Sequence, residues 1–410
     1  MTRREHVVGL DVGTSKVAVV IGLPTQDGRI DIIGVGTCPS AGMRRGVVVD
    51  IEATVRAILE ACQKAERMAG VSIKSVYTSV GGPHMATTNN RGVVAVSRQD
   101  REITPEDQAR VMEAARVLNV PPDREIVHVL PRQFIVDGYD GVKDPVGMVG
   151  VRLEVEALIV TGAITSLQNI LRCVYKAGLE VDGLVLSALA AGESVLQPAE
   201  RELGVMLVDM GAGTTQVAIY DQGSLWQASV VPVGSAHITN DIAVGLRTPV
   251  QQAESIKVLH GRAQVGDTDD EAFFDIPSVA GSGQRQVSQR MLATIIEARA
   301  HEVLDLVAQQ LKFFSYPHVL PAGAVLTGGG SRLTGMLELA GARLDMPVRT
   351  GCPVLGGGLD DIVRDPALAT SVGLVIRALK DRETGASRLR GGGRAQSWIA
   401  ALANWFREFL

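Results

Sequence analysis

Residues 7–19 of this chain read VVGLDVGTSKVAV, and residues 206–219 read MLVDMGAGTTQVAI. Both stretches contain an apolar run, an aspartate, a glycine, a pair of hydroxyl side chains and a second apolar run, which indicates the same strand–turn–strand unit twice. When the hydroxyl pairs are aligned, the second copy carries two extra residues in its turn. A repeat separated by about 200 residues predicts two similar domains, each built around one copy.

The small and polar residues of the repeated turn are typical of phosphate binding. A turn after a strand leaves backbone N–H groups pointing outward, and glycine lets that backbone approach a phosphate without a β-carbon in the way. A single turn of this kind also suits an ordinary β-hairpin, and the second copy is what favours phosphate binding. The candidate phosphate ligands are Gly13, Thr14, Ser15, Lys16, Gly211, Ala212, Gly213, Thr214 and Thr215.

One aspartate precedes each turn, Asp11 in the first copy and Asp209 in the second. On two similar domains these carboxylates would face each other across the cleft. Paired carboxylates beside a polyphosphate suit Mg²⁺, which prefers oxygen ligands and keeps several waters. We therefore expect Asp11 and Asp209 to hold Mg²⁺ through water and to be the main catalytic candidates.

Two further elements extend the candidate site. Residues 325–331 read VLTGGGS, a strand that runs into a glycine turn on which a flat base or a phosphate could lie. Glu254 and Lys257 lie three residues apart, on one face of a predicted helix Gln251–His260. On spacing alone, a solvated surface ion pair is the favoured interpretation. The additional candidates are Glu254, Lys257, Gly328, Gly329, Gly330 and Ser331.

Composition excludes several classes of protein. The chain has 410 residues, 46% of them hydrophobic, and a net charge of −5, which predicts a globular protein of two or more domains. No clustered basic surface is indicated, so nucleic acid is not an expected partner. Four scattered cysteines are typical of buried thiols in a reducing compartment. No signal peptide and no transmembrane stretch is expected.

The order of these elements resembles the ATPase superfamily of actin, heat-shock protein 70 and the sugar kinases. Residues 9–16, 239–243 and 253–257 are similar to the FtsA family of bacterial actin-like cell-division proteins. The resemblance implies an α/β, actin-like two-domain ATPase fold with duplicated βββαβα cores and MgATP between them. It also implies that Glu254 and Lys257 contact the ribose and the base.

The same resemblance implies the domain boundaries. The first core, subdomain 1A, comprises residues 1–82, 156–203 and 360–380. The second core, 2A, comprises 204–248 and 315–359, and subdomain 2B comprises 249–314. Residues 83–155 form an α+β insertion with a helix Pro105–Leu118, where the FtsA family carries its subdomain 1C. Residues 381–396 form a flexible linker, and 397–410 form an amphipathic helix.

One position departs from the superfamily pattern. Its hydrolases place a polar residue, often glutamate or glutamine, before the first connecting helix, where that residue orients the attacking water. Here Ser187 falls nearest that role, and Glu193 lies further into the helix. Serine is a poor general base because its own hydroxyl must be activated. We therefore expect ATP binding with at most slow hydrolysis.

The C-terminal segment has the pattern of an interfacial helix. Its large apolar residues fall within an arc of roughly 140° at helical spacing, and a helix docked on the protein's own core is the alternative reading. The segment is too short to span a bilayer and would lie flat on the lipid surface. The membrane candidates are Trp398, Ile399, Leu402, Trp405, Phe406, Phe409 and Leu410.

Together these features predict a cell-division protein at the cytoplasmic face of the membrane. The resemblance implies self-association into filaments, binding of the C-terminal peptide of FtsZ at subdomain 2B, and contact with other division proteins through the insertion. Anionic lipid is the expected partner of the terminal helix. Two alternatives of the same fold stay open: an adaptor like the pilus-assembly protein PilM, and a kinase of a small molecule.

Overall fold

The computed structural model describes residues 6–25, 29–269, 272–277, 284–314, 316, 319–355 and 359–383. Its strands are β1 (Val7–Val12), β2 (Lys16–Pro24), β3 (Ile30–Pro39), β4 (Met43–Arg44), β5 (Val47–Val48), β6 (Ser75–Val80), β7 (Met85–Ala95), β8 (Arg124–Val136), β9 (Tyr139–Val142), β10 (Arg152–Ala163), β11 (Glu180–Leu186), β12 (Val205–Met210), β13 (Thr215–Asp221), β14 (Ser224–Val231), β15 (Phe273–Pro277), β16 (Gln284–Ser288), β17 (Ala324–Thr327) and β18 (Val348–Thr350).

Its α-helices are α1 (Ile51–Ala69), α2 (Pro105–Arg116), α3 (Ile164–Lys176), α4 (Ser187–Val195), α5 (Pro198–Leu203), α6 (Ser235–Gly245), α7 (Val250–His260), α8 (Gln289–Phe313), α9 (Met336–Leu344), α10 (Asp360–Val363) and α11 (Ala369–Glu383). Short 3-10 turns occupy Val265–Asp267, Gly329–Arg332 and Pro366–Leu368. None of the helices within the described ranges is long and apolar enough to cross a membrane.

Two five-stranded sheets form the centres of two lobes. The first has the order β11-β6-β1-β2-β3 and the second the order β14-β13-β12-β17-β18. In each, three consecutive antiparallel strands are extended by parallel strands on the side of the aspartate-bearing strand, β1 or β12. The nearly continuous apolar runs of these strands agree with sheets covered by helices. The predicted duplicated α/β core is therefore confirmed.

The two repeated turns have the same length. Asp11 lies opposite Ala18 in the first hairpin, and Asp209 lies opposite Gln216 in the second. Each turn is closed by the same backbone bond, from Gly13 N to Lys16 O and from Gly211 N to Thr214 O. The prediction of two extra residues was wrong because the hydroxyl pairs are not equivalent positions. The structural counterpart of Lys16 is Thr214.

The insertion is a separate α+β layer with its own small core. Its sheet has the order β7-β10-β8-β9, and α2 packs on it through Val111 and Ala115. Thr104 caps α2, and the helix ends two residues before the predicted Leu118. Strand β10 pairs with β7 from Arg152 to Gly162, so the predicted boundary at residue 155 falls inside a continuous strand. An alternating sheet strand does not reveal from its sequence where one domain passes into the next.

The last described helix, α11, reaches further than expected. It continues to Glu383, so the first three residues of the predicted linker are helical. Residues 384–410 lie outside the described part of the chain, and this includes all of the predicted membrane helix. Helix α11 contacts β1, β2 and α4 and thus belongs to the first lobe. Its close approach to α4 occurs at Gly373, where a β-carbon would lie 1.7 Å from the carbonyl oxygen of Ala190.

This approach predicts that Gly373→Ala destabilises the fold. The added methyl group must push α4 and α11 apart, at a cost of about 2 kcal/mol. Gly341→Ala is a matched control, because Gly341 also lies in a helix but a β-carbon there makes ordinary contacts of 3.7 and 3.9 Å. The control should be neutral or stabilised by about 0.5–1 kcal/mol, since alanine favours helix. Urea unfolding of both variants measures the difference, and equal stabilities would contradict the prediction.

Candidate functional site

A cavity of about 490 Å³ lies between the two lobes and is lined by both repeated turns. Strands β1 and β12 end at it, which brings their aspartates to its walls. The structure places sixteen of the predicted residues in this lining: Asp11, Gly13, Thr14, Ser15, Lys16, Ser187, Asp209, Gly211, Ala212, Gly213, Thr214, Glu254, Lys257, Gly328, Gly329 and Gly330. Residues far apart in sequence thus form one site.

Two predicted ligands, Thr215 and Ser331, do not line the cavity. The Thr215 hydroxyl donates to the carbonyl oxygen of Val233 at 2.8 Å, and the Ser331 hydroxyl donates to that of Gly328 at 2.7 Å. Both side chains are buried and brace the turns from behind. Their hydroxyl groups were the reason for predicting them as ligands. The alternation of side chains along β13 turns the Thr215 side chain away from the cavity.

The two turns touch each other across the cleft. A β-carbon on Gly213 would lie 2.4 Å from Oγ1 of Thr14, so only glycine lets the second turn approach the first this closely. Thr14 Oγ1 also accepts a hydrogen bond from the backbone N–H of Gly46 at 3.1 Å. The Thr14 hydroxyl is therefore fixed between three segments from both lobes.

The charges of the cavity are strongly coupled. Burial raises the pKa of Asp209 to about 7, and the neighbouring Asp11 adds to the increase. Burial also raises the pKa of Asp11, against the opposing effects of the Ser79 hydroxyl and Lys16. Burial lowers the pKa of the Lys16 ammonium, and both aspartates oppose this shift. Two carboxylates and one ammonium thus share a poorly solvated site that favours an added cation.

The donor set fits a hard cation that retains water. One oxygen of Asp11 accepts from the Ser79 hydroxyl at 2.6 Å, and one oxygen of Asp209 accepts from the Thr370 hydroxyl at 3.3 Å. These bonds orient the two carboxylates toward the space between the turns. Within the described residues no cluster of three or more acidic, histidine or cysteine side chains could hold a metal. Two carboxylates that act with a phosphate ligand suit Mg²⁺ better than a metal held by protein alone.

Glu254 and Lys257 form a fixed unit at the other end of the cavity. Lys257 is buried, and its ammonium donates to Glu254 Oε2 at 2.7 Å, to Thr239 Oγ1 at 2.8 Å and to the Ser235 carbonyl oxygen at 3.3 Å. Three acceptors occupy its three hydrogens, so Lys257 holds the Glu254 carboxylate in place. The buried lysine distinguishes this unit from a solvated surface pair.

Several polar residues of the cavity were missed in the sequence, among them Gln216 and His84. A β-carbon on Gly81 would lie 2.6 Å from Ser187 Oγ and 2.7 Å from Gln216 Nε2, so these side chains meet at one wall. Gln216 Oε1 and His84 Nδ1 are buried and have no hydrogen-bond partner in the described part of the structure. Burial lowers the pKa of His84 to about 4 and keeps it neutral. The sequence did contain a signal for Gln216: this residue is polar, whereas the equivalent position in the first hairpin is Ala18.

Comparison with known proteins assigns the family. A family model for Cell division protein FtsA matches residues 206–373, and a model for the SHS2 domain inserted in FTSA matches residues 82–161. Cell division protein FtsA from Pseudomonas aeruginosa is 42% identical over 391 residues, which is 95% of this chain and 93% of the relative. The chain belongs to the FtsA family. FtsA of Bacillus subtilis is 43% identical over 382 residues, 93% of this chain and 85% of that protein.

Solved structures show the fold of the FtsA chain independently. A chain of the PilM–PilN type IV pilus biogenesis complex matches with a TM-score of 0.68 at 17% identity and covers 92% of this chain and 99% of its own length. MreB 5 of Spiroplasma citri bound to AMPPNP matches with a TM-score of 0.57 at 14% identity, over 94% and 100%. Identities this low show the fold alone. They confirm the predicted actin-like architecture.

The raised pKa of Asp209 predicts a pH dependence of stability. Its value rises from 3.8 to about 7 on folding, so in metal-free buffer the folded protein keeps a proton that the unfolded chain releases. This group therefore lowers the free energy of unfolding as the pH rises from about 4 to about 7. Asp209→Asn removes the effect, and its stability relative to wild type should increase across that window. Urea unfolding with EDTA measures it, and a difference independent of pH would contradict the prediction.

Proposed function

We propose that this FtsA-family protein binds MgATP between its lobes and acts as a membrane-bound filament in cell division. The observation that best supports this proposal is the contact between the two glycine-containing turns at Thr14 and Gly213, with both aspartates beside them. The turns would hold the phosphates through backbone N–H groups and Lys16. Asp11 and Asp209 would hold Mg²⁺, which neutralises phosphate charge. The Glu254 carboxylate, fixed by Lys257, would accept hydrogen bonds from the ribose.

We expect slow hydrolysis of ATP because of the residues in the cavity wall that would face the phosphates. Ser187 and Gln216 are the uncharged polar groups that meet there, and neither is a strong general base. An unpartnered amide oxygen on Gln216 could orient a water molecule but not take its proton. ATP would then act mainly as a clamp that closes the cleft and favours one conformation.

The partners follow from the exposed apolar surfaces and the family. Val250, Val258 and Leu259 of subdomain 2B are strongly exposed on α7, and Val244 is exposed on the neighbouring α6; this apolar surface suits the C-terminal peptide of FtsZ. The insertion exposes Tyr139 and Val149 at its far end, where other division proteins could bind. Self-association would use the remaining faces of the two lobes.

The alternatives share the fold but not the supporting features. A pilus adaptor fits the structural similarity to PilM, whereas the sequence identity of 42% over nearly the whole chain is to FtsA. A small-molecule kinase needs a base that activates a substrate hydroxyl. The carboxylates of the cavity, Asp11 and Asp209, would be engaged by the metal instead. Phosphate transfer to a small molecule in a coupled assay would favour the kinase.

Nucleotide binding is tested by Gly213→Val. The larger side chain must displace Thr14 and separate the two turns, so affinity for a fluorescent ATP analogue with Mg²⁺ should fall by about tenfold or more, equivalent to about 1.4 kcal/mol. Gly266→Val is the control, because a β-carbon at Gly266 meets nothing within 4 Å. Unchanged affinity in Gly213→Val, with wild-type affinity in the control, would contradict a nucleotide between these turns.

Membrane binding is tested at the C-terminal segment. Burial of its large side chains yields roughly 10 kcal/mol at best, and ordering the segment costs about 1 kcal/mol per residue, so one tail should bind only weakly. Many tails on one filament would bind firmly through effective concentration. Sedimentation with anionic vesicles should therefore show binding that rises with self-association and is lost in Trp405→Glu, Phe406→Glu. Wild-type binding by that variant would overturn the membrane role.

A further inference from the structure

The insertion connects both lobes. Its root is in the first lobe, where the backbone N–H of Leu186 in β11 donates to Nε2 of His128 in β8 at 3.0 Å. Its sheet then reaches the second lobe and packs against β14, the edge strand of that lobe's sheet. A rotation of one lobe relative to the other must therefore act on the insertion as well.

Specific contacts join the insertion to β14. The Thr87 hydroxyl donates to the Ala228 carbonyl oxygen at 2.8 Å, and the Ser224 hydroxyl donates to the Arg132 carbonyl oxygen at 3.1 Å. The Arg132 guanidinium lies over the Trp226 ring, 3.1 Å from its centroid. A cation over an indole ring is an attractive contact that tolerates sliding better than a directional hydrogen bond does. We call these residues of β7, β8 and β14 the strut contact.

Buried polar atoms in the strut contact are incompletely satisfied. Arg132 Nε and Ser229 Oγ are buried and have no hydrogen-bond partner in the described ranges, and Ser229 lines a small cavity together with Thr87 of β7. A permanently closed interface seldom leaves such atoms unpaired, because each costs desolvation energy without compensation. An interface that exchanges partners between two arrangements accounts for them.

One residue connects the strut contact with the central cavity. Gln216 lines the central cavity and also a second cavity of about 10 Å³, whose walls include Thr87 and Ser229. Its strand, β13, pairs directly with β14, where Gln216 lies opposite Val230. Changes at the phosphate turns therefore reach the strut contact through one strand.

We infer that the strut contact is a nucleotide-sensitive joint that sets the orientation of the insertion. This inference rests on the proposed binding of MgATP in the cleft. When nucleotide draws the lobes together, β14 moves relative to the root of the insertion, and Arg132 shifts over Trp226. The insertion turns with it, so the surface that it offers to partners depends on the nucleotide. Hinged closure around a ligand is a common origin of such changes.

The chain contains a reporter for this joint. Of its three tryptophans, Trp226 is the one outside the C-terminal segment. In full-length protein carrying Trp398→Phe and Trp405→Phe, the emission and the acrylamide quenching of Trp226 report on the strut contact directly. We expect both to differ between nucleotide-free protein and protein with MgATP or MgADP. In a nucleotide titration, the midpoint of this change should equal the dissociation constant measured with a fluorescent ATP analogue.

Two variants separate coupling from local perturbation. Arg132→Met keeps the length of the side chain and removes its charge, whereas Arg98→Met changes an exposed arginine elsewhere on the insertion. Because coupling is reciprocal, Arg132→Met should change the ratio of ATP to ADP affinity by about fivefold or more, and Arg98→Met should leave it unchanged.

The outcomes separate the inference from the proposed function. Nucleotide binding with identical Trp226 emission and quenching in all three states overturns the joint and leaves the proposed function intact. An unchanged affinity ratio in Arg132→Met also overturns it. A protein that binds no ATP analogue contradicts the proposed function itself, and the inference falls with it.

Discussion

The burial of two aspartates and a lysine at the junction of two turns constrains the whole molecule. Asp11, Asp209 and Lys16 come together because β1 and β12 end at the same cleft, and burial shifts the pKa of each toward its neutral form. Such a site is unfavourable in isolation, since buried charges require partners. In the proposed function, a divalent cation with a polyphosphate would supply them.

Helices α4 and α11 both begin beside this cleft and pack on each other. Helix α4 begins at Ser187 in the cavity wall, and the Thr370 hydroxyl near the start of α11 donates to Asp209. The two helices then pack tightly at Gly373. At their far ends the buried Glu193 carboxylate accepts from Lys380 at 2.6 Å and from Arg201 at 3.2 Å. A continuous set of contacts thus links Asp209 to the last turns of α11.

The sequence predicted the elements of local origin well. The duplicated sheets and ten residues of the cavity lining follow from the repeat, because a strand, an aspartate and a glycine turn carry their geometry with them. The alignment of the two turns was harder to predict: the hydroxyl residues suggested a false alignment, and the backbone bonds of the turns show that Lys16 and Thr214 are equivalent positions. Residues whose role depends on packing between distant segments are harder to find, and the one signal for Gln216 beside Ser187 was its polarity where the equivalent hairpin has Ala18. The strut contact is of the same kind, since it joins strands about 90–140 residues apart in sequence, a separation at which local patterns carry no pairing information.

A protein that uses nucleotide as a clamp does not need rapid hydrolysis. A ligand shifts a conformational equilibrium only by the difference in its affinity for the two states, and turnover merely limits how long the shift persists. In the proposed function, a wall of serine and glutamine beside the phosphates would make the shift persist for long. In the proposed function, a weak membrane segment then complements a slow clamp. Each tail binds too loosely to hold one molecule, so residence on the membrane depends on assembly, and assembly depends on the closed cleft. Stable residence on the membrane would therefore require both nucleotide and lipid.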